Sequence, residues 1–125
     1  MESYGFGHIS TGELLRAELA NNGAEAERIE DIQREGRLVD SSIVVSLVGK
    51  ALEGRKGVQL IDGFPRNQEN LVEWQSQLGK VQVACLLFLE CSEEVMLARL
   101  EERSKISGRA DDNPDTIRQR IDTYR

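Results

Sequence analysis

"LIDGFPRNQENLVEW", from Leu60 to Trp74, decides how this chain is read. Its first three residues close the run "GVQLID" (57–62), which is short, β-forming and cut off by a carboxylate. That is the pattern of a buried strand in a parallel sheet. Gly63, Phe64 and Pro65 then impose a tight exit, and "NQENLVEWQSQLG" carries helical spacing as far as Gly79. In parallel α/β sheets, ligands bind outside the carboxyl ends of the strands. Asp62 and Arg66 stand at such an end. Taken alone, the same pair reads equally well as a turn cap and a solvated cation.

Working outward, the chain alternates between the two periodicities. "STGELLRAELA" opens with Ser10 and has Glu13 three residues on, a capping box that starts a helix at Thr11. "AEAERIEDIQREG" repeats apolar residues at Ala26, Ile29 and Ile32 and stops at Gly36. "DSSIVVSLVGKALEG" predicts a helix between Asp40 and Gly54 with Ile43, Val44, Leu47, Val48 and Leu52 on its inner face. Val81–Leu89 reads as a second buried strand, and "FGHIS" near the start as a possible third. Ser92, Glu93 and Glu94 open the helix "SEEVMLARLEER", "SKISGRADDN" is a polar loop, and Asn113–Pro114 begins a last helix around Ile117, Ile121 and Tyr124. Strands alternating with helices imply a parallel α/β topology.

Composition narrows the class. Its hydrophobic fraction of 39% with mixed charge predicts a folded domain rather than a disordered segment. A net charge of −6 argues against general nucleic-acid binding. No apolar run approaches the ~20 residues that cross a bilayer, and "MESYGFGHIS" has no signal-peptide pattern, so a cytosolic location is expected. Cys85 and Cys91 would lie ~20 Å apart on one strand, beyond disulfide reach, and are expected as small buried residues. His8, the lone histidine, is expected to be structural.

Twelve arginines stand against four lysines, a skew that suits recognition of planar anions. Arg99 and Arg103, four apart, share a helical face; Arg109 lies in the glycine-containing loop, and Arg120 on the helix that follows. Such a set could clamp polyphosphate beneath a closing loop. Glu101, Glu102, Asp111 and Asp112 equally offer salt-bridge partners along two exposed helices.

Together, "YGFGHISTGELLRAE", "GRLV", "LIDGFPRNQENL" and "RLEERSKISGRADDNPDTIRQRIDTY" resemble the nucleoside monophosphate kinases, the family of adenylate and UMP-CMP kinases, in order and spacing from Tyr4 onward. The resemblance implies a three-layer α/β P-loop kinase-like fold, present as a fragment without the first central strand and the C-terminal strand and helices. One partial domain would cover residues 1–125, with the acceptor-binding region at about 10–55, core strands at about 57–62 and 81–90, and a short lid at about 104–113. It further implies ATP and a nucleoside monophosphate as substrates, and Mg²⁺ as the ion accompanying ATP. Thr11, Gly12 and Arg16 would lie against the acceptor nucleotide, with Gly63 and Arg66 at its phosphate and Leu38 and Val39 along its base. Asp62 would hold the hydration shell of Mg²⁺. Arg103, Arg109 and Arg120 would grip the phosphates in transfer, and Arg99 would lie flat against the donor adenine.

Asn70, four residues after Arg66, implies a UMP or CMP acceptor, because adenylate kinases usually carry a longer glutamine there. Thr11 points instead to AMP, the alternative. No GxxxxGK[ST] stretch occurs in these residues, although the family cradles donor phosphates with one. The expectation is therefore a piece of a longer, monomeric kinase, or a chain held in an assembly, inactive by itself. A non-catalytic kinase-like module is the second alternative.

Overall fold

A computed structural model describes residues 4–21, 26, 29, 32, 38–107, 116–118, 121 and 122. The chain divides into two compact units, Met1–Ile29 with Val39–Gln82, and Glu30–Leu38 with Val83–Arg125. The first holds strands β1 (Gly7–Ser10) and β2 (Gln59–Asp62) and helices α1 (Thr11–Ala20), α2 (Ser41–Leu52) and α3 (Gln68–Leu78). The second holds helix α4 (Glu93–Ser107).

In the first unit β1 and β2 run parallel, with Gly7 opposite Gln59 and Ser10 opposite Asp62. The expected α/β class with a parallel sheet is thus found, and "FGHIS" does contribute its strand. Helix α1 starts at the expected Ser10 cap, α2 at the expected Asp40 boundary, and α3 behind Asn67. Ser10 accepts from the Glu13 N–H, Asp40 from the Ser42 N–H and Asn67 from the Asn70 N–H, each relieving one unpaired donor of a first turn. Helix α2 packs against both α1 and α3. At Gly49 a Cβ would sit 3.2 Å from the Leu78 Cδ2, so the glycine lets α3 approach closely.

The inner face of α2 is rotated from the expected one. Ser41, Val45 and Val48 are buried, whereas Ile43, Val44, Leu47 and Leu52 are only half-buried. In a segment apolar at most positions, spacing alone admits more than one stripe; packing on α1 and α3 selects Ser41–Val45–Val48. With Ile9, Leu15, Ala26, Ile29 and Val39 these residues form the core of the first unit. Val45 is fully buried, so Val45→Ala is expected to cost about 2 kcal/mol. Urea denaturation measures it, and an unchanged midpoint would place Val45 outside the core.

Residues 81–90, expected as a buried strand, adopt no regular secondary structure and are exposed throughout, Leu89 to 89%. Helices close their own backbone hydrogen bonds, but a strand exists only beside a neighbour. Among the described residues no strand pairs with this run. Hence Cys85 is exposed and Cys91 half-buried, both unbridged, rather than packed in a core. Helix α4 continues to Ser107, into the segment expected to be loop, and the Ser104 hydroxyl donates to the Glu101 carbonyl at 2.7 Å. Its first turn begins at Ser92 as expected, with the Ser92 Oγ accepting from Val95 N–H. Residues 116–118, 121 and 122 are helical, and Ile117 and Ile121 are buried. No helix among the described residues is long and apolar enough to cross a membrane.

Candidate anion site at the exit of β2

The register of the two strands fixes the site. Because Ser10 lies opposite Asp62, the first turn of α1 begins beside the last residue of β2. Thr11, 3% exposed, places its hydroxyl 3.1 Å from the Asp62 carbonyl oxygen and 3.2 Å from that of Gly63. The helix N-terminus is thereby tied to the strand exit, where its unpaired N–H groups favour negative charge.

Beyond Asp62 the chain turns at Gly63, which has φ +77°, in the left-handed region. A Cβ there would also sit 2.9 Å from Thr11 Oγ1 and 3.0 Å from Arg66 Nη2. Glycine is therefore required twice, by the backbone and by the space. Gly63→Ala is expected to cost roughly 1–2 kcal/mol from the left-handed backbone alone, and to displace Thr11 or Arg66 as well. Chemical denaturation reads the first effect, and a midpoint within error of wild type would refute the constraint.

A cis peptide joins Phe64 to Pro65, and the Phe64 ring packs on Trp74 of α3 with centroids 5.6 Å apart. Arg66 follows, exposed, with its Nε donating to the Gly63 carbonyl at 2.8 Å. One carbonyl oxygen thus orients both Thr11 and Arg66. Arg16 lies one turn along α1 and folds back over Gly12, its Nη1 3.2 Å from where a Cβ would stand. Arg66 at the strand exit and Arg16 on α1 thus stand at either side of the helix N-terminus, groups whose chemistry suits an oxyanion such as phosphate. The Asp62 carboxylate is exposed at the same strand end.

Thr11, Asp62, Gly63 and Arg66 are therefore joined around the strand exit, with Gly12 and Arg16 on the first turns of α1 that start there. Asn70 lies behind them, 4% exposed, its side chain bonded to the Arg66 N–H and to Ser41. Val39 is buried in the same unit, one residue before the cap of α2, whereas Leu38 belongs to the second unit and is half-buried. On α4, Arg99 is exposed and Arg103 half-buried, one turn apart. Arg109 and Arg120 lie outside the described residues. His8 is exposed on β1, its carbonyl accepting from Arg55. Sequence reading missed Ser41 and Glu69. The one available signal was a serine at the first position of the buried stripe of α2, where an apolar residue would be expected.

A family model described as "Adenylate kinase" matches residues 1–125. The chain is 42% identical over 132 aligned residues to the UMP-CMP kinases of Homo sapiens and Mus musculus, an alignment covering 99% of this chain and 67% of each relative. The UMP-CMP kinase of Danio rerio matches to the same extent. With that model over the whole chain and those relatives at 42% identity, the chain belongs to the adenylate kinase family of nucleoside monophosphate kinases.

Proposed function

We infer that the protein carrying this chain transfers the γ-phosphoryl group of ATP to a nucleoside monophosphate, with UMP or CMP as acceptor. The observation that carries this reading is the match of residues 1–125 to the adenylate kinase family, supported by Thr11 and Arg66 both bonding the Gly63 carbonyl beside the N-terminus of α1. The pyrimidine acceptor is supported by Asn70 four residues beyond Arg66 and by relatives named UMP-CMP kinase.

In the proposed reaction an oxygen of the acceptor phosphate attacks the γ-phosphorus as its bond to the β–γ bridging oxygen breaks. ADP leaves, and the acceptor becomes a diphosphate. Such transfers need alignment and compensation of spreading negative charge more than covalent help. Arg16 and Arg66 hold the acceptor phosphate against the N-terminus of α1, and Val39 with Leu38 lines the base. Arg103, Arg109 and Arg120 grip the transferring phosphates, and Arg99 stacks on the donor adenine. A Mg²⁺ entering with ATP would be ligated mainly by substrate phosphates and water, with the exposed Asp62 holding its water shell. Bound there, Mg²⁺ would neutralise charge on the phosphate oxygens. We place the activity in the cytosol, in a monomeric enzyme.

These residues contain no GxxxxGK[ST] stretch, so transfer requires a donor-phosphate cradle supplied from outside them. A module that binds nucleotide without transferring phosphate is the second reading. A coupled assay with ATP–Mg²⁺ and UMP, CMP or AMP in turn separates the possibilities. Turnover with AMP alone would reject the pyrimidine acceptor, and no turnover with any acceptor would favour the module.

A further inference from the structure

Three elements meet at the Asn70 amide: the first turn of α3, the N-terminus of α2 and the backbone that follows Pro65. Asn70 and Ser41 are 4% and 3% exposed, so little water reaches the polar groups between them. Asn70 Oδ1 accepts from the Arg66 N–H at 2.9 Å, and Asn70 Nδ2 donates to Ser41 Oγ at 2.7 Å. The Ser41 hydroxyl in turn donates to Glu69 Oε2 at 3.3 Å.

Donor and acceptor types give this chain of bonds one direction. A backbone N–H can only donate, so the amide atom facing Arg66 must be the oxygen. Nitrogen then faces Ser41, whose oxygen accepts and whose hydrogen is left for the Glu69 carboxylate, an acceptor. Reversing the amide would set NH₂ against N–H at a buried position, which is strongly unfavourable. Both ends of the chain agree, and one N–H of Asn70 Nδ2 has no partner among the described residues.

We propose that Ser41 is a positioning residue that holds the Asn70 amide in a single orientation, so that Asn70 keeps an N–H donor for the acceptor base while its oxygen fixes the backbone of Arg66. The base-reading part rests on the proposed function; the amide orientation does not. A spare donor requires an acceptor atom on the base, and the O2 carbonyl common to uracil and cytosine is one. Selectivity for pyrimidine and placement of the phosphate-binding arginine would then share one hydrogen-bond chain, with Ser41 at its hinge. The short bond from Asn70 to Ser41 carries the constraint; the longer one to Glu69 only directs the hydroxyl hydrogen.

The test uses Ser41→Ala and the conservative Ser41→Thr in the protein carrying this chain. Ser41→Ala is expected to raise KM for UMP and CMP about tenfold, the effect of one buried hydrogen bond with its partner left unpaired. Its kcat should change far less, and its preference for UMP over AMP should fall; Ser41→Thr should restore both. In the absence of nucleotide, NMR of the protein carrying this chain should show the Asn70 side-chain NH₂ pair exchanging slowly in wild type and fast in Ser41→Ala. If Ser41→Ala unfolds, the same readouts on Ser41→Cys replace it. Unchanged KM, unchanged selectivity and a still-protected NH₂ pair would overturn the proposal. If wild type turns over no nucleoside monophosphate, the proposed function fails and amide exchange alone decides: protection lost in Ser41→Ala upholds the positioning, and protection retained overturns it.

Discussion

Arg66→Ala is expected to lower kcat/KM for phosphoryl transfer by at least about 10²-fold, the scale of losing the alignment of the attacking acceptor phosphate. Its stability should change by less than about 1 kcal/mol, because the bond lost to Gly63 belongs to an exposed side chain. The alanine keeps the backbone N–H that donates to Asn70, so the turn retains its buried anchor. Arg66→Lys should not restore the rate. The Arg66 guanidinium is planar and donates from Nε to the Gly63 carbonyl, a geometry that a lysine ammonium does not reproduce. The coupled assay gives the rate and urea denaturation the stability. An undiminished rate would remove Arg66 from the site. A rate lost together with several kcal/mol of stability would make it a structural residue instead.

The contrast between those two readouts shows where sequence reading succeeds. Ser10, Asp40 and Asn67 cap their helices through atoms within three residues, and local spacing is enough to find them. The strand ending at Asp62 was legible because its glycine exit is local as well, and the positive φ of Gly63 agrees with the residue type. Asn70 was recognisable by its distance from Arg66. Its partner was not: Ser41 lies 29 positions away, and only the docking of α2 on α3 brings the two together. Nothing in a linear pattern says which polar residue at a helix start will be buried against which amide. The same reason explains the face of α2, where a run of valine, isoleucine and leucine leaves the stripe to be chosen by neighbouring helices.

The second large effect concerns residues 81–90. The isolated 125-residue chain is expected to self-associate at micromolar concentrations, with a weight-average mass that rises with concentration in sedimentation. Val83, Ala84, Cys85, Leu86, Leu87, Phe88 and Leu89 form an uncharged, proline-free window rich in β-formers. Leu86, Leu87 and Phe88 are 67%, 75% and 68% exposed, with no strand beside them among the described residues. The two-stranded sheet adds to the problem, since a pair of four-residue strands is marginal alone and β2 is paired only with β1 among the described residues. Within this family's parallel sheet such a run would be buried on both faces, and its apolar composition suits that environment rather than water. Leu87→Lys together with Leu89→Lys should return the mass to that of a monomer while leaving the first unit folded, because a charge in such a window opposes edge pairing. A wild-type chain that stays monomeric and melts cooperatively would show that the run finds adequate cover within these residues, and would refute its need for a partner.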